Sequence, residues 1–80
     1  MKANVYVTLK REVLDPQGDA VRRALGALGF EDIGSVRVGK LIEIELGDAP
    51  HEKAEQELRS MCEKLLANPV IEDFRFELID

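Results

Sequence analysis

The chain has 80 residues and a formal net charge of −5, from 11 Lys and Arg against 16 Asp and Glu. Its length allows one domain over residues 1–80. The core of so small a domain is modest, and oligomerisation often adds stability. The acidic balance argues against nucleic-acid binding, because contacts to the phosphate backbone need a basic surface. No apolar run is long enough for a membrane span and no signal-peptide pattern opens the chain, so we expect a cytoplasmic protein with no membrane partner.

The first half of the chain predicts a strand followed by a helix. Residues 3–10 alternate between apolar and polar side chains, which is the pattern of a strand with one face on a core. Asp15 and Pro16 are residue types that favour a helix N-cap and first helical position. Apolar residues then recur at helical spacing and Gly29 suits a left-handed cap, which predicts a helix over about 17–28.

The segment 36–46 leaves two structures open. It is either a single long strand or a hairpin that turns at Gly39 and Lys40. Parity favours the single strand, because every even position from Val36 to Leu46 is apolar except Lys40. A strand of that length would overhang so small a sheet, and its unpaired backbone would invite pairing with another subunit.

The second half predicts a helix and a final strand. The helix runs from the turn at 47–50 to Ala67, and Asn68 with Pro69 ends it. Its apolar stripe consists of Ala54, Leu58, Met61, Cys62, Leu65 and Leu66. Residues 70–79 predict the strand. The predicted fold is α+β, with two helices packed on one face of a small, mainly antiparallel sheet, ordered β-α-β-α-β with a long second strand or β-α-β-β-α-β.

Few residues are candidates for chemistry. His51 lacks a neighbouring nucleophile or orienting group, and a cysteine on an apolar stripe, as Cys62 is, behaves as a core residue. Glu43 and Glu45 share one strand face, but their neighbours predict no pocket, so we interpret them as charges that discourage edge aggregation. With a single cysteine, the chain has no internal disulfide and no thiolate zinc site.

Four segments together resemble the small subunit of phosphoribosylformylglycinamidine synthase, the PurS family of de novo purine biosynthesis. They cover essentially the whole chain in the family's order. They are Val5 to Lys10, Asp15 to Gly18 followed by Leu25, Leu28 and Gly29, Val36 to Lys40, and Met61-Cys62 through Leu65-Leu66 to Asn68-Pro69-Val70-Ile71-Glu72.

The resemblance implies an enzyme divided among three chains: an ATP-dependent synthetase, a glutaminase and this small subunit. The complex would use ATP, magnesium and glutamine to convert formylglycinamide ribonucleotide to formylglycinamidine ribonucleotide, with no catalytic residue, metal or cofactor on this chain. The small subunit would pair with itself, as a homodimer or tetramer, and hold the glutaminase and the synthetase together.

Position along the chain selects the partner-interface candidates. Local charge is +2 over residues 1–42 and −7 over residues 43–80, a difference that suits oriented docking. The candidates are Arg37, Lys40, Glu43, Glu45, Asp15, Gln17 and Asn68. Two other functions remain open: a small-molecule-binding regulatory module acting at a dimer interface, and a small enzyme that uses His51, Cys62 or the Glu43–Glu45 pair.

Overall fold

The fold consists of a three-stranded sheet and two helices. A computed structural model describes all of residues 1–80. The elements in chain order are β1 (Lys2–Leu9), α1 (Pro16–Ala27), β2 (Gly39–Glu45), α2 (His51–Met61), a π-helical turn (Cys62–Leu66) and β3 (Glu72–Ile79). The order β-α-β-α-β is confirmed over the alternative with a hairpin, because the residues after Gly39 continue as one strand. Neither helix has the length and apolar character needed to cross a membrane.

The sheet is antiparallel throughout, with strand order β2-β1-β3. In its register Val5 lies between Ile42 and Phe76, and the neighbouring row places Tyr6 between Leu41 and Arg75. Since side chains alternate across a strand, the first row belongs to an apolar face and the second to a polar face. We call these the inner and the outer face of the sheet.

Helix α2 packs on the inner face and closes the core. Leu58 and Cys62 are fully buried, and they form one cluster with Val5 and Val7 of the central strand. The apolar side chains of the two edge strands pack around this cluster but remain half-buried. The core position predicted for Cys62 is confirmed, and burial raises the pKa of its thiol.

The π-helical turn changes which side chains face the core after α2. The N–H of Ala67 donates to the carbonyl oxygen of Cys62, five residues earlier, at 3.0 Å. One extra residue in a turn rotates the following side chains by about 100°. Ala67 is therefore buried, whereas 82% of Leu65 is exposed. The prediction that Leu65 belongs to the apolar stripe is wrong.

Strand β2 is shorter than the predicted 36–46. It begins at Gly39, because the N–H of Val38 donates to the side chain of Asp15 at 2.7 Å instead of joining the sheet. The segment 36–38 is thus held against the start of α1.

Helix α1 has the predicted ends but little packing. Asp15 caps its N-terminus, and Gly29 has a φ of 100°, the left-handed conformation that favours glycine after a helix. Gly18 in the first turn is buried, but most of the remaining α1 residues are exposed. The molecule is accordingly elongated, 49 × 27 × 14 Å, with a Cα radius of gyration of 16.0 Å. A compact chain of this length would have a radius of roughly 12 Å.

Leu58 and Leu65 offer a matched test of this core. We expect Leu58→Ala to lower the free energy of unfolding by about 3 kcal/mol, because it leaves a cavity where α2 meets β1. Leu65→Ala, which removes an exposed side chain, should change it by less than about 0.5 kcal/mol. Urea unfolding at low protein concentration measures both, and equal losses would contradict the described rotation of the π-helical turn.

Candidate subunit interface

The outer face of the sheet carries a hydrogen-bonded polar cluster. The hydroxyl of Tyr6 and the amide of Asn4 both donate to Oε1 of Glu77, at 2.9 and 3.1 Å. The guanidinium of Arg75 lies 3.9 Å from the centre of the Tyr6 ring, a cation–π contact. Asn4 Oδ1 is buried without a hydrogen-bond partner.

These contacts hold the cluster in one protonation state. The hydrogen bonds from Asn4 and Tyr6 lower the pKa of Glu77, and the bond to Glu77 raises the pKa of Tyr6. Glu77 therefore stays ionised and Tyr6 stays protonated around neutral pH. The cluster is a fixed arrangement of donors and acceptors. The pKa values of Glu77 and Tyr6 are both displaced from neutral pH, whereas a residue that exchanges protons in acid–base catalysis needs a pKa close to it.

Two of the predicted interface residues, Asp15 and Arg37, make hydrogen bonds within the chain. Asp15 is 5% exposed and accepts from the N–H groups of Gly18 and Val38, which lower the pKa of its carboxyl. Nη2 of Arg37 donates to the carbonyl oxygens of Lys10 and Val13, both at 2.8 Å. Asp15 is therefore committed to internal contacts, whereas Arg37 remains exposed while it makes these two bonds.

The other candidates on the first half of the chain fall into two places. Gln17, at the start of α1, and Lys40, on β2, line the same shallow cavity at one end of the inner face. Glu43 and Glu45 are exposed on the opposite face of β2, where Glu43 lies 3.6 Å from the ammonium group of Lys2. An exposed ion pair of this kind contributes little to stability and leaves both groups accessible to a partner.

Asn68 fixes the turn between the π-helical turn and β3. Its Oδ1 accepts from the N–H of Val70 at 3.0 Å, and its own N–H donates to Oε1 of Glu72 at 2.7 Å. The turn presents Val70, 78% exposed, at its tip. Asn68 thus has the predicted helix-ending position, and its side chain shapes an apolar projection.

The largest feature that sequence reasoning missed is the uncovered apolar side of α1. Its stripe consists of Ala20, Val21, Ala24, Leu25 and Leu28. Only Leu25 is half-buried, and 74% of Leu28 is exposed. The helical spacing identifies the stripe, but it does not say whether the covering surface belongs to the same chain.

The structure brings no reactive constellation together. His51 is exposed in the first turn of α2, and no group of three or more His, Cys, Asp or Glu side chains has the arrangement needed for a metal ion.

The comparisons with known proteins give the family. The family model PurS, phosphoribosylformylglycinamidine (FGAM) synthase, matches residues 2–80. This chain belongs to the PurS family. It is 47% identical over 81 residues to the PurS subunit of phosphoribosylformylglycinamidine synthase from Bacillus subtilis. This alignment covers 96% of this chain and 90% of that protein. The PurS subunit from Methanocaldococcus jannaschii is 43% identical over 77 residues, covering 96% and 93%.

Solved PurS structures have the same fold. The crystal structure of PurS from M. jannaschii superposes with a TM-score of 0.83 at 43% identity, over 99% of this chain and 98% of that one. A chain in the structure of PurLQS from Thermotoga maritima superposes with a TM-score of 0.88 at 31% identity, over 98% and 95%. The resemblance inferred from sequence is confirmed.

The internal bonds of Asp15 predict a pH dependence of stability. The folded-state pKa is lowered, so the carboxylate stabilises the fold at pH values above the unfolded-state pKa, about 3.9. This contribution is lost as the pH falls through the folded-state pKa. Asp15→Asn retains an oxygen for Gly18 but none for Val38, so it should be less stable than the natural chain above pH 5.

Urea unfolding of both proteins at a series of pH values measures the difference. We expect it to shrink steadily below about pH 4. A difference that stays constant down to pH 2 would contradict the account of an ionised, doubly bonded Asp15.

Proposed function

We propose that this chain is the non-catalytic assembly subunit of a phosphoribosylformylglycinamidine synthase complex. It bridges a glutaminase and an ATP-dependent synthetase, so that glutamine-derived ammonia is used to convert formylglycinamide ribonucleotide to formylglycinamidine ribonucleotide in purine biosynthesis. The observation that carries the proposal is full-length membership of the PurS family together with the close superposition on a chain of the T. maritima PurLQS structure. The same similarities favour assembly over the regulatory-module alternative.

Within this proposal the ATP, magnesium and glutamine sites belong to the other subunits, and the complex works in the cytoplasm. The contribution of this chain is proximity. Ammonia released into bulk water is diluted and protonated, whereas two active sites held in register pass it on at a high local concentration. Positioning of this kind can lower the activation barrier of a reaction by several kcal/mol, and the chain that does the positioning needs no reactive group of its own.

Self-association is the second part of the proposal, and the surface area of the chain supports it. The accessible surface is 5999 Å². A folded monomer of 9.0 kDa would expose about 4,900 Å². The excess of about 1,100 Å² exceeds the roughly 800 Å² that each partner buries in a standard interface.

The position of the uncovered surfaces favours a second copy of the chain as the partner. Most of the apolar stripe of α1 is uncovered in its own chain, and the edge strands of the inner face are only half-buried beneath α2. If α1 of each copy packs against the other copy, a single two-fold symmetric interface covers apolar surface on both copies at once. The chain would then enter the complex as a pair.

The assembly role predicts a specific pattern of activity. Without this chain, the synthetase and glutaminase should lose at least about tenfold in glutamine-dependent rate, while the ammonia-dependent rate is unchanged. A coupled assay of the purified subunits, with gel filtration of the mixture, measures this.

The variant His51→Ala is the matched control, and it should restore the rate as well as the natural chain. Equal glutamine-dependent rates with and without the chain would contradict the assembly role. Loss of activity in His51→Ala would instead support chemistry on this subunit.

The self-association surface can be tested with two similar leucines. Leu28→Asp, on the stripe of α1, should raise the dissociation constant of the pair roughly 100-fold, because each copy buries one charged group in place of a leucine. Leu65→Asp alters an equally exposed residue outside the stripe and should leave the constant unchanged. Sedimentation equilibrium measures both, and the reverse order of effects would move the interface to the π-helical turn.

A further inference from the structure

Helix α1 is connected to the rest of the fold through its first turn. One carboxylate makes the connection: Oδ1 of Asp15 accepts from the N–H of Gly18 at 2.9 Å, and Oδ2 accepts from the N–H of Val38 at 2.7 Å. The first bond caps the helix, and the second ties its start to the segment that leads into β2.

Arg37 joins the same segment to the loop after β1. Its Nη2 donates to the carbonyl oxygens of Lys10 and Val13, both at 2.8 Å. The N–H of Lys10 in turn donates to the carbonyl oxygen of Ile71, just before β3, at 2.8 Å. The bonds of Arg37 therefore reach a loop that is anchored to the sheet.

Gly18 allows the close approach. A Cβ at this position would overlap the carbonyl oxygen of Val36, so no other residue fits without displacing the segment 36–38. We call Asp15, Gly18, Arg37 and Val38 the α1 joint.

The joint sets the direction of an otherwise unsupported helix. The 12 residues of α1 span about 18 Å, so a tilt of 10° at the base moves the far end by about 3 Å. Packed apolar interfaces respond to changes as small as one methylene group. A loose joint would therefore leave the α1 stripe unable to meet a partner in one geometry.

We propose that Asp15 and Arg37 are positioning residues for self-association, which hold α1 in the direction that its partner surface requires. The proposal rests on the self-association described under the proposed function. Both residues act through bonds within the chain: Asp15 is 5% exposed, and Nη2 of the exposed Arg37 donates to two backbone carbonyls. They act by removing orientational freedom before association, so that less entropy is lost when the two copies meet.

The variant Asp15→Asn separates positioning from helix formation. Its Oδ1 still caps α1 through Gly18, but its NH2 group cannot accept from Val38. We expect unchanged helix content by far-UV circular dichroism, faster hydrogen exchange at the Val38 amide, and a dissociation constant about tenfold higher by sedimentation equilibrium.

Variants of Arg37 test the proposal independently. Arg37→Ala should weaken association about as much, and Arg37→Lys should recover part of the loss because an ammonium group still donates to carbonyl oxygens. Arg11→Ala removes an exposed arginine from the same loop and should have no effect. If Arg37→Ala fails to fold, Asp15→Asn decides the result alone.

Two outcomes overturn the proposal in distinguishable ways. If the natural chain associates and the Asp15→Asn and Arg37→Ala variants associate equally tightly, the joint does not position α1, and the proposed function stands. If the natural chain is monomeric at all concentrations, the proposed self-association itself is wrong.

Discussion

The packing of α2 against the central strand determines where the remaining elements can lie. Leu58 and Cys62 meet Val5 and Val7 in a core of few residues, and this one helix occupies the middle of the inner face. A three-stranded sheet of seven or eight residues per strand offers no second equivalent position over β1. The other helix therefore extends from the fold with its apolar stripe uncovered, and the elongated shape and excess surface follow from that.

In the proposed assembly role, the chain contributes through the placement of its surfaces. The polar groups that the fold organises most tightly, the Tyr6–Glu77 cluster and the doubly bonded Asp15, have pKa values displaced away from neutral pH, which suits fixed contacts. An assembly subunit needs rigid surfaces in a defined relation, because the benefit of proximity is lost if the joined active sites drift apart. The α1 joint and the Asn68 turn are two places where hydrogen bonds hold an exposed apolar surface in place.

Sequence reasoning predicted the elements well because each has a local signal. Alternation identifies β1 and β3, and Asp15 and Gly29 mark the ends of α1 within one or two residues. It could not predict the direction of α1, which depends on a bond between Asp15 and Val38, 23 residues apart. Nor could it predict the π-helical turn that exposes Leu65. Arg37 is exposed, as its charge predicts, but its hydrogen-bond acceptors are backbone carbonyls, which carry no sequence signal.

In the proposed self-association, a second copy of the chain covers α1. Hydrogen exchange of the isolated protein, followed by mass spectrometry over a wide range of concentration, tests it most directly. Protection of the α1 amides should rise with protein concentration, while protection of β1 and α2 should stay constant. Full protection of α1 at concentrations where the chain is monomeric would contradict it, because α1 would then be stabilised within its own chain.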